Sequence, residues 1–147
     1  MHSHRFALIA ALFLAACASG GKHPNLAISV SPLSGRVLGS GIRGGAATGD
    51  YTVRVTVENR SQEDVTIHSI RVGAADAGLM SNDVPQDVEE TIAPGAVRQF
   101  DMYLSVSTTG RTLNPTPQVL QSVSVDLSCT GSASGDFTAG GTYSLSV

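Results

Sequence analysis

The sequence predicts an all-β protein built as an antiparallel sandwich of about seven strands. Three observations carry that expectation. Apolar side chains recur at every second residue in several segments, as where Tyr51, Val53, Val55 and Val57 alternate with Thr52, Arg54, Thr56 and Glu58. Gly, Pro, Asn and Ser turns separate those segments. Beyond residue 18 no window sustains a 3.6-residue apolar period with capping residues.

The chain opens with a short basic region, Met1 to Arg5, followed by a wholly apolar run from Phe6 to Leu14. Ala15 and Ala16 then supply the small side chains that a signal peptidase cleft requires. The uninterrupted apolar stretch, Phe6 to Ala18, is too short for a helix crossing about 30 Å of hydrocarbon. The run Leu14-Ala15-Ala16-Cys17 resembles the lipobox of bacterial lipoproteins; the plainer alternative is an ordinary secretory signal in which Cys17 is incidental. The resemblance implies cleavage before Cys17, a thioether-linked diacylglyceryl group on that cysteine, and acylation of the new amino terminus. At about 0.8 kcal/mol per buried methylene, two or three acyl chains make the attachment effectively permanent. Ala18, rather than Asp, after the cysteine implies the outer membrane, with the domain facing the periplasm.

The expected organisation is a signal peptide over 1–16, the lipidated Cys17 with a flexible tether to residue 25, and a sandwich domain over 26–147. The eight residues Ala18 to Asn25 reach about 26–29 Å when fully extended, which holds the domain close to its membrane. Leu26, Ile28 and Val30 form the first strand, and Pro32 is expected to end it. The Tyr51 to Val57 strand leads into a polar turn, Asn59 to Asp64. Val65 and Ile67 restart the alternation, but Ile70 and Val72 fall on the opposite phase. A β-bulge near His68-Ser69 reconciles the two halves on one core face. Val88 to Ile92 is a weaker strand. Phe100, Met102, Leu104 and Val106 form another apolar row, with Asp101, Tyr103 and Ser105 opposite; Val119 to Cys129 and Thr142 to Val147 complete the set.

Val53-x-Val55-x-Val57-x-Asn59-Arg60-Ser61, followed by Thr91-Ile92-Ala93-Pro94-Gly95 before the Phe100 strand, resembles immunoglobulin-like domains of bacterial envelope proteins, including the cell-adhesion-related type. Tyr143 to Val147 fits their terminal strand. The resemblance covers about residues 50–147 and implies an immunoglobulin-like sandwich with adhesion, assembly or spacer roles. Asn59 is expected to cap a turn through its side chain and Pro94-Gly95 to set a tight one. The Gly39 to Gly49 insertion and the Thr108 to Pro117 segment depart from the pattern.

Composition narrows the functional classes. Loss of Arg5 with the signal peptide leaves eight Lys and Arg against twelve Asp and Glu, a formal charge of −4. That balance, with no basic patch or aromatic cluster, argues against nucleic acid. Trp is absent and aromatics are few, which weakens a carbohydrate platform. With Cys17 lipidated, Cys129 has no partner within the chain, so the domain must hold by packing. Cys129 alternates with Val123, Val125 and Leu127 and is expected in the core; a reactive thiol is the sharper alternative.

The remaining motifs assign no chemistry. Gly39-Ser40-Gly41-Ile42-Arg43-Gly44 satisfies GxGxxG, but no helix follows to receive a pyrophosphate, so it is read as a Gly-rich loop. His23 lies in the tether and His68 at the bulge, neither in a metal-ligand cluster, and Met80 and Met102 complete no copper motif. His68 as a triad base needs a Ser or Cys within reach and a carboxylate behind it. Asn82 to Glu90 is the densest acidic segment and is read as a solvated loop rather than a calcium site. Arg54, Arg98, Arg111 and Tyr103 are exposed candidates that define no binding face.

The expectation is therefore a membrane-attached, non-catalytic structural or protein-binding module whose partner is another envelope protein. Cys17 is its only site residue, and no catalytic, metal or cofactor-binding residue is assigned. Two alternatives stand beside it. A ligand-binding lipoprotein would use the segments Gly39–Gly49, Asn82–Glu90 and Thr108–Pro117 at one end of the sandwich. An envelope enzyme would need His68 or Cys129 exposed beside a carboxylate, while an inhibitor would need neither.

Overall fold

The computed structural model describes residues 23–38, 48–76, 78–108 and 122–146. The lipobox, Cys17, most of the Gly-rich segment and Thr109 to Pro117 lie outside them. The described residues form eight strands: β1 Leu26–Leu38, β2 Thr48–Asn59, β3 Val65–Ala74, β4 Leu79–Ser81, β5 Gln86–Ile92, β6 Val97–Thr108, β7 Ser122–Ser132 and β8 Asp136–Ser146. All pairings are antiparallel. One sheet has the order β1-β2-β6-β4 and the other β5-β3-β7-β8. Of the connections between these strands, β1–β2 and β7–β8 stay within one sheet, and each connection from β2 to β7 passes from one sheet to the other, giving an antiparallel sandwich.

The core is the set of alternate residues that face inward from both sheets. Tyr51, Val53, Val55 and Val57 of β2 meet Ile67, Ile70, Val125, Leu127 and Cys129 of the opposite sheet in one buried cluster. β2 shows strict alternation of buried and half-buried residues along its whole length, as a strand covered on one face must.

Three expectations need correction. Pro32 does not end the first strand: β1 continues to Leu38, with a register shift between Pro32 and Ser34. β1 is an edge strand, where a missing N–H costs no ladder bond, and the shift absorbs the interruption. The expected count of about seven is met, with Leu79–Ser81 added as a three-residue strand that pairs with the end of β6, too short a run to show a period of its own. Asn82 to Glu90 is not one solvated loop, since Gln86 to Glu90 belongs to β5. β7 and β8 are also placed differently from the sequence segments: β7 runs on to Ser132 and β8 begins at Asp136.

The bulge at His68 is present. Between Ile67 and Ser69 the register shifts against both neighbours, so His68 is the extra residue opposite β7, while Val88 and Glu89 together oppose it on β5. Ile67 and Ile70 are consequently both fully buried. Glu89 adopts φ of 43°, in the left-handed region. Gly131 allows β7 to pass this point, because a Cβ there would lie 2.3 Å from the Thr66 carbonyl oxygen.

Candidate functional site

His68 is the residue of the sequence analysis that acquires the most partners. The double bulge turns its ring to the outer face of the sheet, where it is partly exposed. Nδ1 lies 2.8 Å from Glu89 Oε2, and Nε2 lies 2.9 Å from Ser132 Oγ. A carboxylate only accepts, so Nδ1 carries a proton and donates to Glu89. Thr66 and Thr91 add a hydroxyl pair at 3.0 Å beside it. The order serine, imidazole, carboxylate is that of a nucleophile relay.

Ser132 sits in the β7 ladder, paired with Thr66 on one side and Asp136 on the other. The cluster joins β5, β3 and β7 by side-chain hydrogen bonds across the bulge.

Cys129, the other residue a catalytic reading requires, is fully buried. Burial pushes its thiol from the ordinary 9.0 up to about 12, so it stays protonated and unreactive. Native Cys129 should resist thiol reagents in mildly alkaline buffer and react only on unfolding. Its proton is retained in the folded state but lost from the unfolded chain above about pH 9. Stability should therefore fall as pH rises from about 9 towards about 12. Urea titrations across that window test the sign, and Cys129→Ala should flatten the slope; an unchanged slope would locate the alkaline sensitivity elsewhere.

The acidic segment does not converge on one point. Asp83 pairs with Arg71, Glu89 with His68, and Glu90 with Arg98 at 3.0 Å. The Arg71 hydrogen bond holds the Asp83 carboxyl below its ordinary range. Likewise Arg54 and Asp101 face each other across β2 and β6, with Nε to Oδ1 at 2.9 Å, and the pair lowers the Asp101 carboxyl. The Tyr103 hydroxyl donates to Asp50 at 2.8 Å. The exposed residues named from sequence are thus mostly absorbed in local pairs, which on a solvent face contribute little stability each. Arg111 lies outside the described residues. His23 is exposed, with Nδ1 3.0 Å from the neighbouring Pro24 carbonyl oxygen.

Asn59 is the one buried polar side chain among the described residues. Its Nδ2 donates to the carbonyls of Glu63 at 2.8 Å and Ile92 at 2.9 Å, and its Oδ1 accepts from the Ser61 N–H at 2.9 Å and hydroxyl at 2.6 Å. The main chain joins in: Asn59 N–H donates to the Ala96 carbonyl, and Gly95 N–H donates to that of Asn59. Pro94-Gly95 forms a tight turn in which Ala96 N–H donates to the Ala93 carbonyl and Gly95 takes φ of 77°. Both turn expectations are met, and one asparagine links the two turns.

The flank of β6 that faces β4 was missed from sequence. It bears exposed Val97 and Tyr103, and only its last residues, Val106 to Thr108, pair with β4. No sequence signal marks it, since alternation reports which face a residue takes and not which neighbour its main chain finds.

No family model and no curated protein sequence matches the chain. Among solved structures it is similar to a structural genomics target designated SoR45 at 11% identity, covering 83% of this chain and 86% of that one, with a TM-score of 0.48. It is also similar to the putative ApaA protein from Bordetella pertussis at 16% identity, covering 84% and 95%, with a TM-score of 0.45. A protein from Archaeoglobus fulgidus matches at 9% identity over 80% and 98%, with a TM-score of 0.39. Likenesses of this order assign no function.

Proposed function

We propose that this chain is a lipid-anchored lipoprotein of the bacterial cell envelope, whose immunoglobulin-like sandwich is a non-catalytic protein-binding module facing the periplasm from the outer membrane. The observation that carries the anchor is the run Leu14-Ala15-Ala16-Cys17 behind a short apolar segment. A sandwich whose outer-face charges are largely paired with one another, and whose single free thiol is buried, supports a binding rather than a reactive role. β1 begins at Leu26, opposite Asn59. A short tether from Cys17 therefore turns the end carrying the Asn59 and Pro94-Gly95 turns toward the bilayer.

Radiolabelled palmitate should be incorporated by the intact chain and lost completely in Cys17→Ala. Labelling that persists in the variant would overturn the anchor. Crosslinking in the intact envelope should recover one defined protein partner; recovery of the chain alone would reduce the module to a spacer.

A further inference from the structure

Among the described residues, one flank of the β1-β2-β6-β4 sheet is only partly paired. β2 pairs with β6 along nearly its whole length, but on the other side β4 reaches only Val106, Ser107 and Thr108. Just past β4, the Asn82 N–H donates to the Ser105 carbonyl, and the Ser105 N–H donates to Asn82 Oδ1, both at 3.2 Å. Main-chain groups alternate in direction along a strand. Those of Tyr103, Asp101 and Gln99 therefore point the same way as those of Ser105, and no described residue pairs with them.

Apolar side chains border the flank on both faces of the sheet, among polar ones. Met102, Leu104 and Val106 are buried, yet Phe100 on the same inward face is only half-buried, as is Val88 on β5. Five large apolar side chains are exposed among the described residues. Four of them, Met80, Val84, Val97 and Tyr103, lie on β4, on β6 or on the connection after β4. At the far side of the sandwich β1 meets β8, where the Tyr143 hydroxyl donates to the Ile28 carbonyl at 3.2 Å. The strand orders then set β3 opposite β6, and β5 opposite the strand position beyond it.

Deepening the protein-binding reading above, we propose that this flank of β6 receives an extended segment of another polypeptide as an added strand, its alternate apolar side chains turned inward onto Phe100 and Val88. Main-chain pairing with Gln99, Asp101 and Tyr103 supplies the register. The bordering charges are already matched as Arg98–Glu90, Arg54–Asp101 and Arg71–Asp83, so charge complementarity selects an uncharged segment.

A second copy adding its own β6 would bring its β3 into the place that β5 holds. A segment of this chain seated on the flank would protect Gln99 to Tyr103 without any probe and at every protein concentration, and that result would overturn the proposal.

The test uses the full chain and, as probe, a short synthetic peptide alternating valine with threonine. The probe should slow amide exchange within Val97 to Leu104. Gln99→Pro removes an N–H that faces away from β2 and so keeps the fold, while probe affinity should fall roughly tenfold. Should that variant misfold, Val97→Lys combined with Tyr103→Lys blocks the edge by charge and should have the same effect. Protection centred on β1, β5 or β8, or affinity unchanged in the variants, would overturn the proposal. So would protection that grows with protein concentration without probe, which would mean a second copy. Probe binding retained by Cys17→Ala would uphold strand addition whatever palmitate labelling shows about the anchor.

Discussion

Asn59→Ala is expected to lower the unfolding free energy by about 4 kcal/mol, near the upper end of single-site effects. The side chain is fully buried and serves the Glu63 and Ile92 carbonyls and the Ser61 N–H at once. Truncation strands those groups in a place water does not readily reach, at roughly 1–3 kcal/mol for each group left unsatisfied. Asn59→Asp separates the contributions. It keeps an acceptor for Ser61 but sets a carboxylate against two carbonyl oxygens, so it should be as costly as alanine near neutral pH. Equilibrium urea unfolding gives the comparison through the midpoint at constant slope. A loss below about 1 kcal/mol in Asn59→Ala would show that the two turns hold without their shared side chain.

Gly140→Ala should be nearly as damaging, at about 3 kcal/mol, the high side of what overpacking usually costs. A Cβ at Gly140 would lie 1.9 Å from the Leu127 carbonyl oxygen and 2.8 Å from its carbon. These are backbone atoms of the paired strand β7, so no side-chain rotation relieves the contact, and β7 and β8 must separate. Gly135→Ala is the control: it lies in the turn before β8, where an added Cβ meets nothing within 4 Å. That change should be neutral or slightly stabilising, because alanine narrows the unfolded ensemble. Equal thermal midpoints for the two variants would show that β8 shifts freely, and the close approach would then impose no constraint.

These two positions differ in how far the sequence exposes them. Asn59 is legible as a turn residue, since it closes a clean alternation before a polar stretch, and its role there is the one expected. That the same side chain also reaches Ile92 depends on β5 and the Pro94-Gly95 turn returning to it, a contact 33 residues apart. Gly140 looks like any glycine in a Gly-rich strand. Its necessity comes from the distance between two backbones, which no local pattern carries.

His68 shows the same division. The phase switch from Ile67 to Ile70 marks the bulge, because both must face the core and the side-chain period is two. Glu89 and Ser132, which complete its hydrogen bonds, come from strands 21 and 64 residues away. The acidic segment was misread for a related reason. Glu89 and Glu90 are adjacent in sequence, but on β5 they turn apart, Glu89 to His68 and Glu90 to Arg98, while Asp83 before the strand meets Arg71.

The sequence by itself determined the all-β class, the core face of nearly every strand, the bulge at His68, both turns and the buried position of Cys129. All of these follow from period, phase and local turn chemistry, which act over a few residues. It also holds the Leu14 to Cys17 run on which the proposed membrane address rests. Tertiary structure alone decided which strands become neighbours, that β1 runs past Pro32, that β4 is three residues long, and that no described residue pairs with β6 beyond β4. Strand pairing is non-local: the energy that selects a partner is spread over main-chain groups common to every residue, and only the packed sandwich settles which of them meet.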